Sequence, residues 1–293
     1  MDLLERPAIA TGIGCTNDFF WSVSMFGKSE PVEGNVEDYL KEVQAFVEKG
    51  NFSDLAAKME ELNKWIKKHP SNTGLLIKRC EFNAILGKYK DTIDECTKII
   101  KLEADNVEVY KVRAQAYLAK GETNKAIADA DKAIALAPGK ADSFCVRALV
   151  FLSKKEWEKA LADVNAAIHL DSSTYDPYFI RAETFLMKGE PDKAIADASE
   201  AIRINSSYAQ SFRTRALAYI SKGERDKALA DMDEAIRLDV GNDEYYYIRA
   251  MAFMGKALAD FDEAIRRNPN NSECSKMQKL LKKNYVDEFP QFT

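Results

Sequence analysis

The sequence predicts an all-α chain: an α-solenoid of stacked helical hairpins with a capping helix at its C-terminal end. Three observations carry that expectation. A block recurs at a spacing of 34 residues, columns of alanine and aromatic residues run in register through the copies, and glycines interrupt the helical pattern in mid-repeat.

The block is plainest in "KAIADADKAIAL" (125–136), "KALADVNAAIHL" (159–170), "KAIADASEAIRI" (193–204), "KALADMDEAIRL" (227–238) and "KALADFDEAIRR" (256–267). One small column holds Ala114, Ala148, Ala182, Ala216 and Ala250; a second holds Ala126, Ala160, Ala194, Ala228 and Ala257; a third holds Ala133, Ala167, Ala201, Ala235 and Ala264. Bulky columns run beside them: Tyr110, Phe144, Tyr178, Phe212 and Tyr246, then Tyr117, Phe151, Phe185, Tyr219 and Phe253. Gly121, Gly189 and Gly223 separate two helical stretches, so each unit reads as a hairpin. Small residues let two helix axes approach, and the aromatic residues are expected to fill the grooves between successive hairpins.

In order along the chain, residues 1–35 form an aromatic-rich segment that includes "FFWSVSMF" (19–26), expected to pack on the first hairpin, with occupancy of a groove as an alternative. Residues 36–71 form a degenerate first hairpin that keeps Tyr39, Phe46 and Gly50. Residues 72–271 hold six hairpins, the last shortened, and 272–293 a capping helix and tail. In the cap, Met277, Leu280, Leu281 and Tyr285 share one face, expected to shield the last hairpin from water.

Aligned on Arg249 and Ala257, the last unit is five residues shorter than its neighbour, the loss falling at the turn. A tightened hairpin is the expected form. The alternative is one continuous helix over 243–267, which would need a partner for its apolar face, a second copy of the chain being the obvious one.

Arginine recurs at 79, 113, 147, 181, 215 and 249, and an acid follows each: Glu95, Asp129, Asp163, Asp197 and Asp231 sixteen residues on, and Asp260 after the shortened turn. The expected role is structural, a two-pronged ion pair that fixes packing register; the alternative is a row of arginines gripping an acidic ligand.

This pattern resembles the tetratricopeptide repeat family, whose 34-residue helix-turn-helix unit carries small residues in those columns and an early aromatic. The resemblance implies a right-handed superhelix whose first helices line a concave groove for a peptide or helix. Carried over by column, the groove includes Lys78, Lys111 and Gln115, and the peptide-binding set is Val146, Leu149, Phe179, Ile180, Glu183, Leu186, Met187, Arg213, Leu217, Ile220, Tyr247, Ile248 and Met251. Some members clamp a partner's C-terminal carboxylate with lysine, asparagine and arginine. The matching columns here hold Glu108, Asp142, Asp176, Gln210 and Glu244, then Val112, Val146, Ile180, Thr214 and Ile248, which disfavours heat-shock-protein tails. An apolar groove edged by acids would suit an amphipathic segment with basic flanks.

A net charge of −5 provides no positive field for nucleic acid or an anionic membrane. Five cysteines without a CxxC pair fit free thiols in a reducing compartment, and the N-terminal stretch reads neither as a secretory signal nor as a membrane span, so the expected location is cytoplasmic. No nucleophile-base-acid set, phosphate loop or metal spacing is present, and His69 and His169 stand a hundred residues apart. The expectation is therefore a scaffold without catalytic activity, cofactor or metal. Two alternatives are a chaperone-like holder of non-native chains and a self-assembling subunit.

Overall fold

The structure, a computed structural model, describes residues 35–49, 55–269 and 272–288, and divides between Ser173 and Thr174 into two compact units. Among the described residues every regular element is a helix, with no strand. The "FFWSVSMF" segment lies outside the described residues.

The first unit holds α1 (Val36–Lys49), α2 (Leu55–Lys68), α3 (Thr73–Ile85), α4 (Tyr89–Leu102), α5 (Val107–Ala119), α6 (Thr123–Leu136), α7 (Ala141–Ser153) and α8 (Trp157–Leu170). Helices α1, α2 and α3 share a core of Tyr39, Val43, Leu62, Leu75 and Phe82, with Trp65 stacked on Tyr39 at 4.9 Å, so the degenerate first unit packs as part of the stack. The second unit holds α9 (Asp176–Met187), α10 (Pro191–Ile204), α11 (Ala209–Ser221), α12 (Arg225–Leu238), α13 (Asp243–Arg267) and α14 (Ser272–Glu288). Its core gathers Phe212, Ala216, Met232, Tyr245, Ile248, Met251 and Leu258.

Several helix ends have an identifiable local cause. Asn72, Asn106 and Asn242 cap α3, α5 and α13 by accepting from the backbone N–H of Leu75 (3.0 Å), Val109 (3.3 Å) and Glu244 (3.1 Å). In the five hairpins from α3–α4 to α11–α12 the first helix stops at a left-handed residue: Gly87, Gly121, Gly189 and Gly223 at φ between 71° and 75°, and Lys155 at 58°. Beyond it the next amide donates back into the last turn of the helix, as in Glu122 N to Tyr117 O (2.8 Å) and Glu156 N to Phe151 O (2.9 Å). Glycine tolerates that backbone freely; Lys155 adopts it with a Cβ in the way.

The alanine columns behave as the sequence predicts in the intact hairpins. Ala114, Ala148, Ala182 and Ala216 are fully buried, as are Ala126, Ala160, Ala194 and Ala228, and Ala133, Ala167, Ala201 and Ala235. The aromatic columns differ from expectation: Phe144, Phe151, Tyr178, Phe185 and Tyr219 are only half-buried, because they flank the arginine side chains. Arg113 lies 5.8 Å from both Tyr110 and Tyr117, and Arg147 5.8 Å from Phe144 and 5.9 Å from Phe151.

The last unit is not a tightened hairpin. Residues 243–267 form one unbroken 25-residue helix, α13. The five missing residues are those that carry the left-handed turn, and Gly255 lies inside the helix with no positive φ. A Cβ at Gly255 would collide with the Arg225 side chain, which crosses the helix there. Consequently Ala250 is exposed and Ala257 and Ala264 are half-exposed, although their counterparts are fully buried. The cap expectation also needs correction: Leu281 of α14 packs on the core, whereas Met277 and Leu280 stay 43% and 54% exposed.

Candidate functional site

At 100° per residue, the columns two before and two, five and six after each arginine fall on the face of the first helix opposite that arginine. In the second unit these positions give Phe179, Glu183, Leu186 and Met187 on α9, Arg213, Leu217 and Ile220 on α11, and Tyr247 and Met251 on α13. Ile180 and Ile248 stand beside them.

Most of the predicted contact residues turn out to be packing residues. Ile180, Ile248 and Met251 are at most 2% exposed, Ile220 is buried, and Phe179 is buried edge-on against Tyr208 at 5.1 Å. Tyr175 closes on the same Tyr208 ring at 4.7 Å. In the first unit Val146 and Leu149 are buried as well, Val146 against Ala114 and Ala130. The apolar side chains of the set that keep exposed surface are Leu186, Met187, Leu217 and Tyr247.

Glu183 and Arg213 do not point to a ligand; they answer each other. Arg213 is buried, donates through Nη2 to Glu244 at 2.6 Å and lies 3.6 Å from Glu183. The Thr214 hydroxyl donates to Glu183. Burial raises the pKa of the Glu183 carboxyl, and Arg213 opposes that shift. Burial alone would lower the Arg213 pKa, but the carboxylates of Glu244 and Glu183 hold it above its ordinary value. Its Nε is buried without a hydrogen-bond partner among the described residues.

The first unit repeats this arrangement. Lys111, buried, pairs with Glu108 at 2.7 Å and with Asp142 of the next first helix. Lys78 pairs with Glu81 (2.8 Å) and donates to Gln44 (2.5 Å). Lys111 to Asp142 and Arg213 to Glu244 share one spacing of 31 residues, so successive first helices are tied across the inner face by the same contact. The acids read as an edge for basic ligands are thus largely engaged inside the fold.

On the opposite side runs the arginine ladder. Arg113, Arg147, Arg181 and Arg215 each grip the acid sixteen residues on through Nε and Nη2 at 2.7–2.8 Å, and Arg79 grips Glu95. Through Nη1 they also reach the preceding hairpin: Arg113 to Thr97 (3.0 Å), Arg147 to Asp131 (2.6 Å) and Arg215 to Ser199 (3.0 Å). The sixth rung is broken. Arg249 meets Asp233 at 2.7 Å, but Asp260, carried on the same helix, cannot reach it.

A family model described as tetratricopeptide repeat matches residues 111–177 and 145–209, and a second of that description matches 210–239. Residues 111–239 are tetratricopeptide repeats. Among solved structures it is similar to the APC/C hetero-tetramer Cut9–Hcn1 (TM-score 0.67, 15% identity, 84% of this chain and 49% of that one). It is also similar to a thermophilic TPR protein of Thermus thermophilus (0.57, 19%, 61% and 97%) and to a tetratricopeptide repeat protein of Parabacteroides merdae (0.54, 21%, 84% and 98%). At these identities the likeness is one of fold. No curated protein matches the sequence.

The tetratricopeptide fold is generally a non-catalytic interaction scaffold. Among the described residues no group of three or more His, Cys, Asp or Glu side chains is placed to hold a metal ion, and no helix is long and apolar enough to cross a membrane. The cross-repeat ties were missed from sequence because a base answered by an acid 31 residues on follows neither the helical period nor the 34-residue repeat. The pairs Lys111/Asp142 and Arg213/Glu244 were visible to a search at that spacing.

Proposed function

We propose that this protein is a non-catalytic scaffold that holds an apolar or aromatic peptide or helix of another protein against the inner columns of its second unit. The supporting observation is that Leu186, Met187, Leu217 and Tyr247 keep exposed apolar surface on three successive first helices whose remaining inner side chains are packed or paired. A few such anchors carry most of the affinity in recognition of this kind. Because Lys111 and Arg213 already engage the flanking acids, burial rather than basic flanks selects the segment. The setting proposed is cytoplasmic, in keeping with five cysteines that include no CxxC pair.

The test is Met187→Glu with Leu217→Glu, compared by affinity purification and mass spectrometry with the wild type. The expected result is loss of the captured partner with the helical circular-dichroism spectrum retained and the melt lowered only modestly, since both side chains are already partly in water although Leu217 also packs on the second core. Normal binding by the double variant would overturn the reading. Competition by unrelated unfolded proteins would replace it with a chaperone-like holder. Ile180→Glu is the contrasting control: it buries a charge at a fully enclosed position and should unfold the second unit.

A second reading, self-assembly, is favoured by one observation: the 25-residue α13 leaves Phe253 55% and Tyr246 40% exposed.

A further inference from the structure

Resting on that self-assembly reading, we propose that two copies of the chain exchange the second halves of their α13 helices, forming an antiparallel pair in which Arg249 of each copy grips Asp260 of the partner subunit.

The argument starts from the intact hairpin next door. There Ala216 of the first helix and Ala228 and Ala235 of the second are fully buried, and Arg215 holds Asp231 through both carboxylate oxygens. These groups face one another because a turn folds the second helix back. In α13 the turn is gone, and the equivalent residues are strung along one helix. At 100° per residue, Arg249, Ala250, Phe253, Ala257, Asp260 and Ala264 fall within an arc of about 100°. That arc faces away from the core: Ala250, Phe253 and Asp260 are exposed, while Gly255 on the far side lies against Arg225. Asp262, also on the far side, holds Gln278 and Lys282 of α14. The face that the two halves of a hairpin should present to each other is therefore displayed outward by both.

The charges carry the same message. The Arg249 guanidinium uses Nη1 on Asp233 and lies 5.4 Å from the Tyr246 ring. Its Nε and Nη2 edge, the edge that takes an acid in the five preceding rungs, has no hydrogen-bond partner among the described residues. Asp260 feels Lys256 one turn back but pairs with no side chain among them. Eleven residues separate the two along a helix, roughly 16 Å at 1.5 Å per residue, so they cannot meet within one chain.

What fits this face is specified by the chain itself. Residues 256–267, "KALADFDEAIRR", differ from α12's "KALADMDEAIRL" (227–238) at two positions of twelve, and α12 is the helix that covers the corresponding face of α11. A two-fold pairing satisfies both copies at once, each supplying the second helix that the other lacks, which is the usual consequence of shortening a hinge.

The experiment is sedimentation equilibrium over a concentration series on the full chain. The wild type should dimerise. Arg249→Asp alone and Asp260→Arg alone each place two like-charge pairs in the interface and should weaken the dimer by at least about tenfold. Mixed in equal amounts, the two variants should form a heterodimer, because both cross-contacts then regain opposite charges. Inserting Ser-Lys before Gly255 and Glu-Arg-Asp after it, the residues found between Ile220 and Lys227 in the intact hairpin, should give a monomer. A wild type that stays monomeric throughout overturns the exchange and the self-assembly reading together. A dimer indifferent to both charge reversals, with no gain on mixing, leaves self-assembly standing and overturns the exchange.

Discussion

Arginine at a fixed place in each repeat works because a carboxylate waits sixteen residues on. Arg215 shows what the pair contributes. It lies 5.6 Å from Phe212, holds Asp231 with two parallel hydrogen bonds, and reaches Ser199 of the previous hairpin, so one side chain joins three helices. Asp231 is 6% exposed. Removing the arginine strands that carboxylate, and Arg215→Leu should cost roughly 3 kcal/mol in thermal or urea unfolding. Replacing both partners tests whether the ladder adds stability or register. Desolvation offsets much of the attraction, so Arg215→Leu with Asp231→Leu should recover most of the loss, leaving the double variant within about 1 kcal/mol of wild type. A double variant as unstable as the single one would make the pair a net source of stability.

At the scale of the element, whether a segment becomes a hairpin or a rod is decided by about five residues. The helical halves of the last unit match those of its neighbour, yet without a left-handed residue and its back-donating amide nothing stops the first helix, and α13 runs on. The converse case is Lys155, which adopts φ of 58° where four other hairpins use glycine. Lys155→Gly relieves the Cβ contact at that backbone and should stabilise the first unit by about 1 kcal/mol, read as a rise in the melting temperature. The hairpins, their alanine columns and five rungs of the ladder were legible in the sequence, because each follows a period that a single chain displays. The rod was legible only as the less favoured alternative. Propensity permits Gly255 in a helix or a turn, and what lies against it in the rod is Arg225, a contact between residues thirty apart in the chain that no local pattern displays. The proposed interaction face was legible in its columns but not in its exposure: Phe179 and Leu217 look equally available in sequence, and it is Tyr208 that buries Phe179.

At the scale of the molecule, stability in a stack of hairpins is a sum of local terms, each repeat touching its neighbours. The second unit has its own core around Met232, which is fully buried between Tyr245, Ile248 and the alanines of α12. No tryptophan follows Thr174, and Trp65 and Trp157 lie in the first unit, so in a Trp21→Phe background intrinsic fluorescence reports on the first unit while far-ultraviolet circular dichroism reports on both. Met232→Ala opens a cavity costing roughly 2–5 kcal/mol in the second core. The expected outcome is that part of the circular-dichroism transition moves to lower temperature or denaturant while the tryptophan transition keeps its midpoint. Coincident shifts in both probes would mean that the division at Thr174 carries no thermodynamic weight and that the chain unfolds as one cooperative body. The separate outcome bears on the proposed exchange as well: the α13 face already lies outward, and a second unit that loosens alone lets α13 adjust to another copy without unfolding the hairpins before it.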